Sequence, residues 1–270
     1  MSATPPAWSL VVPSCDAYND TWPFFFHFLF QFWPDVPKPV YLIANHSRYA
    51  DDRVVTIRVG EDRQWSANYN RALDDVPAEL LFSFLDDFLI NAPVDHQRVG
   101  ESFRQFQELG AKYFSVDNFH EPATPRPGTW FCPVTREQLI VGLNATFWRK
   151  SYLKEVCEPG LNIWQAENRL KSFAKANPEG HYFLEEDQPP LVTYVESIKG
   201  FFWKPVAVEF LAKHGLTPNL WRRPCPPQGE DKLARFLRSL HKRRMRFGNR
   251  LNDWMNGELS PKVIYPLPTA

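Results

Sequence analysis

Short apolar runs alternate with amphipathic stretches along the first 95 residues, and this pattern predicts strands that alternate with helices. The predicted strands are apolar runs bounded by turn residues, at 9–12, 39–45, 53–60 and 80–85. Helices are predicted after Thr21, which can cap a helix with Pro23 in its first turn, and over residues 64–75. Strands that alternate with helices favour a mainly parallel sheet covered by helices on both faces.

The pattern between residues 96 and 216 is less regular. Strands or extended segments are predicted at 111–116, 129–135, 139–148 and 181–200, and helices at 151–157, 162–176 and 205–216. We expect the irregular segments 96–135 and 177–195 to govern substrate choice. After a proline-rich linker, residues 230–250 have the pattern of a basic amphipathic helix.

Composition and charge restrict the class of protein. The chain has 270 residues, is 44% hydrophobic and 23% charged, and carries no formal net charge, so nothing general favours a nucleic acid as partner. The charge is uneven, because residues 232–250 hold eight Lys or Arg and no acid. The apolar stretch 24–33 is too short to span a bilayer. The four cysteines have no ligand spacing, which favours reduced thiols and a cytoplasmic protein.

Two adjacent aspartates, Asp86 and Asp87, directly follow the apolar run 80–85. In an open parallel sheet, ligands bind outside the carboxyl ends of the strands, where this pair would lie. One interpretation is a solvated turn, since Asp is common in turns. The other is a divalent cation that bridges the carboxylates and the phosphates of a nucleotide. Both interpretations stay open on the pattern alone.

Motifs of several competing chemistries are absent from the sequence. It contains no GxxxxGK[ST] phosphate loop and no GxGxxG after the first strand. It also contains no GxSxG nucleophile elbow and no HExxH zinc motif. These absences argue against a P-loop NTPase, a dinucleotide-binding enzyme, an α/β-hydrolase and a zinc peptidase.

The order of several segments resembles a bacterial GT-A glycosyltransferase of the family-2-like, surface-polysaccharide type. The matching segments, in chain order, are the loop at 9–18, WSANYNRAL, FLDDF, FWRKSYL followed by NIWQAE, and VESIKGFFWKPVAVEFLAKHGL. The resemblance covers roughly residues 8–216. It implies an α/β, Rossmann-like GT-A domain over 1–216, with a nucleotide-binding half at about 8–95 and an acceptor half at about 96–216. Residues 217–270 would form a linker and a helical tail.

The resemblance also implies roles for individual residues. Asp86 and Asp87 would hold Mn²⁺ or Mg²⁺, Glu167 would be the general base, and Lys199 and Lys204 would approach the diphosphate. The residues implied to bind the donor are Ser14, Asp16, Trp65, Asn68, Arg71, Asp86 and Lys199. The sequence departs from the common Asp-x-Asp pattern, since Phe88 stands in the third place. Residues Glu185, Glu186 and Asp187 are alternative carboxylates to Glu167.

The function expected from this resemblance is the transfer of a sugar from a nucleotide-sugar to a glycan or lipid-linked acceptor, with inversion if Glu167 is the base. One alternative is a sugar nucleotidyltransferase, although the first loop lacks the glycines and basic residue of that class. Another is a catalytically silent scaffold. The basic tail at 230–250 is a packing helix or a contact with the anionic inner face of the cell membrane. RNA binding is a third alternative, but no recognition module accompanies the tail.

Overall fold

The computed structural model describes residues 8–61, 64–118, 123–225, 239 and 262–268. In these residues the helices are α1 Trp22–Phe32, α2 Trp65–Asp74, α3 His96–Glu108, α4 Lys150–Val156, α5 Ile163–Ala176 and α6 Pro205–Lys213. The strands are β1 Ser9–Pro13, β2 Val40–Ala44, β3 Arg48–Tyr49, β4 Val54–Arg58, β5 Leu80–Ser83, β6 Phe88–Ile90, β7 Tyr113–Asn118, β8 Phe131–Pro133, β9 Thr146–Arg149, β10 His181–Leu184, β11 Tyr194–Glu196, β12 Ile198–Lys199, β13 Phe202–Trp203 and β14 Val263–Ile264.

Eight of these strands form one central sheet, in the order β4-β2-β1-β5-β9-β7-β10-β8. Strands β4, β2, β1, β5, β7 and β10 share one direction, because β9 is antiparallel to both of its neighbours β5 and β7. Only β9 and β8 of this sheet are reversed. The short pair β6–β11 is antiparallel and links the segment after β5 to the second half of the chain.

Both faces of the central sheet are buried, as the continuous apolar strands predict. Leu10 and Val12 of β1 pack in one apolar cluster with α1 and α3, whereas Val11 packs in a second cluster with α2, α4 and α5. This alternation follows from the period of two along a strand. The prediction of a mainly parallel α/β sheet with helices on both faces is therefore confirmed, and the sheet draws strands from both halves of the chain.

Two local predictions are wrong. Residues 96–108, which were expected to be irregular, form α3, capped by the Asp95 side chain. Its apolar positions, Val99, Phe103 and Phe106, recur at helical spacing, so the signal was present in the sequence. The strand predicted at 139–148 is shorter, because only Thr146–Arg149 pairs in the sheet.

The end of the chain returns to the first half. Strand β14 pairs in parallel with β3, with Arg48 N–H bonded to the Lys262 carbonyl at 2.9 Å. The basic amphipathic helix predicted at 230–250 lies outside the described residues, except for position 239. Its predicted contact with a membrane therefore stays a prediction, as does the division of the chain at residue 216.

Candidate functional site

The chain runs from β1 to β2 on one side and later crosses to β5 on the other side of β1. Open α/β sheets bind ligands at such a switch point. In the central sheet, β2 and β4 lie on one side of β1, and β5, β9, β7, β10 and β8 lie on the other. Ser14 follows the carboxyl end of β1, and Asp86 follows that of β5. The two side chains meet there, because Ser14 Oγ donates a hydrogen bond to Asp86 Oδ2. The crevice between β1 and β5 is therefore the candidate site.

Asp86 is buried and held by hydrogen-bond donors from the first loop and α1. Besides Ser14, Trp22 Nε1 lies 3.3 Å and Thr21 Oγ1 3.4 Å from Asp86 Oδ2. Trp22 Nε1 also lies 2.8 Å from Ser14 Oγ. Thr21 stands at the N-cap position of α1, but its hydroxyl donates to the Tyr18 carbonyl instead of capping the helix. These contacts fix the orientation of the Asp86 carboxylate.

Asp87 is half-buried, and its backbone is hydrogen-bonded to Ser197 in the second half of the chain. Its carbonyl oxygen accepts two hydrogen bonds from Ser197, from the backbone N–H and from Oγ, both at 2.7 Å. The residue before Ser197 is Glu196, which forms an ion pair with Lys204. Residues 194–204 therefore form a wall of the crevice beside the aspartate pair.

Both aspartates have raised pKa values. Burial, followed by the negative charge of Asp87, raises the pKa of Asp86 to about 8, although Ser14, Trp22 and Arg223 favour the ionised form. Burial, followed by the charge of Glu196, raises the pKa of Asp87 to about 7. The pair is therefore costly to ionise without a further positive charge.

The donor set of the crevice suits a cation that takes only part of its ligands from protein. The described residues contain no cluster of three or more His, Cys, Asp or Glu side chains arranged to hold a metal ion. Mg²⁺ is usually bound through one or two carboxylates together with water and substrate phosphates, and Asp86 and Asp87 provide that number. The predicted Mn²⁺ or Mg²⁺ fits the pair and stays a prediction.

Asp16, predicted to bind the donor, has its carboxylate occupied by the segment after β2. It accepts backbone N–H groups of Asn45, His46 and Ser47 at 3.0–3.2 Å and the Ser47 hydroxyl at 2.8 Å. These bonds join the loops after β1 and β2. Asp16 therefore has a structural role in this crevice, and its contact with a nucleotide stays a prediction.

The three candidates on α2 stabilise the connection between β4 and α2. Asn68 Nδ2 lies 2.8 Å from the Glu61 carbonyl, and the Arg71 guanidinium donates to the Val59 carbonyl. Trp65 packs against Tyr69, with ring centroids 5.3 Å apart. Their roles towards a donor stay predictions.

Glu167 lies in the second turn of α5, on the face of the sheet opposite α1. Its Oε1 accepts from Lys171 Nζ at 2.6 Å, and its side chain is 27% exposed. Helix α5 starts beside the start of α2, since Leu161 N–H donates to Ser66 Oγ at 2.9 Å. Because α2 begins at the carboxyl edge of the sheet, Glu167 lies near that edge. The alternative carboxylates Glu185, Glu186 and Asp187 follow β10, which β9 and β7 separate from β5.

Lys199 and Lys204 lie on the wall formed by residues 194–204. Lys199 is exposed at the end of β12, and Lys204 pairs with Glu196. The pairing places the positive charge of Lys204 near Asp87, where it favours the ionised carboxylate. A contact of either lysine with a diphosphate stays a prediction.

Sequence reasoning missed three residues that line or adjoin the crevice: Tyr18, Asp117 and Arg223. Asp117, near the end of β7, accepts a hydrogen bond from the Tyr194 hydroxyl at 2.8 Å, and burial raises its pKa. Arg223 is 3% exposed and ion-paired to Asp20. The position of Asp117 at a strand end was a usable signal. Arg223 stood in a segment interpreted as a linker, and no pattern marked it.

Comparison with known proteins gives structural matches of low sequence identity. No family model matches the chain, and no curated protein matches its sequence. The chain is similar to S. aureus TarS, residues 1–349, a GT-A glycosyltransferase, with 15% identity and a TM-score of 0.45 over 69% of this chain. The matched part spans 59% of that TarS chain.

Other matches include a second enzyme class. TarS 1–349 in complex with UDP-GlcNAc aligns with 76% of this chain and 64% of its own, at 14% identity and a TM-score of 0.45. A cytidylyltransferase from Leptospira borgpetersenii aligns with 70% of this chain and 81% of its own, at 8% identity and a TM-score of 0.44.

Among the described helices, none combines the length and apolar character needed to cross a bilayer.

Proposed function

We propose that the protein transfers a sugar from a nucleotide-sugar to a glycan or lipid-linked glycan acceptor, with a divalent cation bound at Asp86 and Asp87. The observation that carries this proposal is the pair of buried Asp86 and half-buried Asp87 in the crevice between β1 and β5. Its carboxylates have raised pKa values and lie at the edge where such sheets bind ligands. A solvated turn explains neither the burial of Asp86 nor the donors that orient it.

The chain's own residues supply the remaining parts of the site. Ser14 and Trp22 orient the Asp86 carboxylate, and Ser197 holds the backbone at Asp87. When bound, the cation would stabilise the negative charge that develops on the departing diphosphate. The residues of α2 and the first loop would surround the base and ribose of the donor.

Glu167 would act on the acceptor side. The acceptor oxygen forms a bond to the anomeric carbon while the bond from that carbon to the diphosphate oxygen breaks. The hydroxyl proton passes to the Glu167 carboxylate, and the nucleoside diphosphate leaves with the electron pair. Lys171 orients the carboxylate through its ion pair before the acceptor binds. Attack from the side opposite the leaving group inverts the anomeric centre.

A donor screen with product analysis tests the proposal. The protein is incubated with Mn²⁺ and UDP-, GDP-, CDP- or ADP-sugars plus a mixture of glycan acceptors, and the release of nucleoside diphosphate is measured. We expect one donor class to release diphosphate in wild type and not in Asp87→Asn. Release of pyrophosphate from a nucleoside triphosphate and a sugar phosphate would instead identify a nucleotidyltransferase. No turnover and no nucleotide binding would favour the silent scaffold.

A further inference from the structure

Arg223 is a buried cation with an incomplete set of hydrogen bonds. Its Nε and Nη2 lie 3.0 Å and 2.9 Å from the two carboxylate oxygens of Asp20, and Nη2 lies 2.8 Å from the Ala17 carbonyl. Its Nη1 is buried and has no hydrogen-bond partner among the described residues. A buried charged donor without a partner costs free energy, so a group that accepts from Nη1 is expected.

The guanidinium is held rigidly at the first loop. Its central carbon lies 4.6 Å from the centre of the Tyr18 ring, and its Nε and Nη2 donate to the two carboxylate oxygens of Asp20. The Tyr18 hydroxyl in turn donates to the Gly200 carbonyl at 3.2 Å, on the turn between β12 and β13. The position of the Arg223 guanidinium is therefore set by the first loop, which Tyr18 joins to the wall at residues 194–204.

Arg223 also belongs to the electrostatic surroundings of the aspartate pair. Burial raises the pKa values of Tyr18, Asp86 and Asp87, and the positive charge of Arg223 opposes that rise in each. Burial lowers the pKa of the Arg223 guanidinium, but Asp20, Tyr18 and Asp86 together raise it above its ordinary value. The arginine is thus a permanent positive charge beside two carboxylates.

We propose that Arg223 Nη1 donates a hydrogen bond to a phosphate oxygen of the nucleotide bound beside Asp86 and Asp87. This inference rests on the proposed function and adds to it a residue from the segment after α6. The acceptor must be an oxygen with available lone pairs, and an anionic oxygen gives the strongest bond to a guanidinium. The contacts of Arg223 with Ala17 and Asp20 of the first loop would then make the segment 219–225 part of the donor site.

The neighbouring Arg222 provides a matched control. Arg222 is partly exposed and donates to Asn19, so it carries the same charge in the same segment without a buried, unpartnered donor. The variants are Arg223→Lys, Arg223→Gln and Arg222→Lys. Arg223→Lys keeps the positive charge and removes the planar set of guanidinium N–H donors. Circular dichroism and thermal melting identify the variants that remain folded.

Calorimetric titration in Mg²⁺ with inorganic pyrophosphate, UDP and uridine gives the test. We expect Arg223→Lys to weaken pyrophosphate and UDP binding by about tenfold or more, because a hydrogen bond to an anionic group is lost. Arg222→Lys should change both by less than about twofold, since it removes no buried donor. Uridine binding should be equal in all variants.

The outcomes separate this inference from the proposed function. If folded Arg223→Lys binds pyrophosphate and UDP as wild type does, or if wild type binds no pyrophosphate, the inference is wrong. Loss of diphosphate binding in Arg223→Lys alone supports it, whether or not sugar transfer is detected. Absence of transfer with every donor would contradict only the proposed function.

Discussion

Two acidic regions of the same sheet edge differ in how their charge is compensated. Asp86 and Asp87, between β1 and β5, lie next to each other, and their pKa values are raised to about 8 and about 7 by burial and by mutual or neighbouring negative charge. Glu167, on α5, has Lys171 at 2.6 Å and a partly exposed carboxylate. The aspartate pair is therefore costly to ionise without a further positive charge, whereas Glu167 has Lys171 as an ion-pair partner.

This difference agrees with the two different tasks that we propose for these regions. A carboxylate pair that resists ionisation gains most from a ligand that brings positive charge, so it suits cation and phosphate binding. A partly exposed carboxylate that is ion-paired to a lysine suits the transfer of a proton from an acceptor hydroxyl. The following changes test this assignment.

The largest effect is expected for Asp87→Asn. The substitution removes one of two carboxylate ligands, so sugar transfer should fall by about a thousandfold and Mn²⁺-dependent nucleotide binding should be lost. Steady-state rates and calorimetry measure the two effects. Asp52→Asn, at an exposed position, is the control and should retain full activity. Equal activity in Asp87→Asn and wild type would remove the pair from the mechanism.

Glu167→Gln should separate catalysis from donor binding. The amide cannot accept the acceptor proton, so kcat should fall by about a hundredfold, while affinity for the nucleoside diphosphate stays unchanged. Glu158→Gln is the matched control, because Glu158 also forms an ion pair, with Arg169. A normal kcat in Glu167→Gln would transfer the base role to another carboxylate, with Asp117 as the first to test.

Asp16→Ala should act mainly on folding. The change leaves three backbone N–H groups of residues 45–47 without their acceptor, so we expect the free energy of unfolding to fall by about 2–3 kcal/mol. Asp16→Asn keeps one acceptor oxygen and should lose less. Urea denaturation measures both. A stable Asp16→Ala variant that fails to bind nucleotide would restore the donor-binding role to this residue.

A smaller effect is expected in the pH dependence of stability. The folded-state pKa of Asp86 is raised above the unfolded value, so the folded state binds more protons between about pH 4 and pH 8, and stability falls as pH rises through that window. Asp86→Asn lacks this contribution, so its stability relative to wild type should increase with pH across the same window. Urea denaturation at several pH values without divalent cation measures the difference. A constant difference would contradict the raised pKa.

Much of the fold was predictable from local patterns. The strands around Leu10, Leu42 and Phe82 are buried on both faces, and their continuous apolar character identified them. Helix α2 was found from the spacing of Trp65, Tyr69 and Leu73. Helix α3 was missed because polar residues dominate it and its apolar positions are only three.

The site was predictable only in part. Asp86 and Asp87 could be singled out as candidates, because two adjacent carboxylates after a buried strand are unusual. Arg223 could not be found, since it reaches the crevice through an ion pair with Asp20, more than 200 residues earlier in the chain. Contacts of that kind depend on tertiary packing and leave no periodic signal. The hydrogen bonds from backbone N–H groups of residues 45–47 to the Asp16 carboxylate could not be predicted for the same reason.

Calorimetric titration of nucleoside diphosphates at pH 7.5, with and without Mn²⁺, on wild type and Asp87→Asn, tests the cation role of the aspartate pair most directly. We expect one of UDP, CDP, GDP and ADP to bind wild type only when Mn²⁺ is present and not to bind the variant. Binding of none of them with Mn²⁺, or equal binding by the variant, would contradict the assignment of Asp86 and Asp87 to a cation and nucleotide.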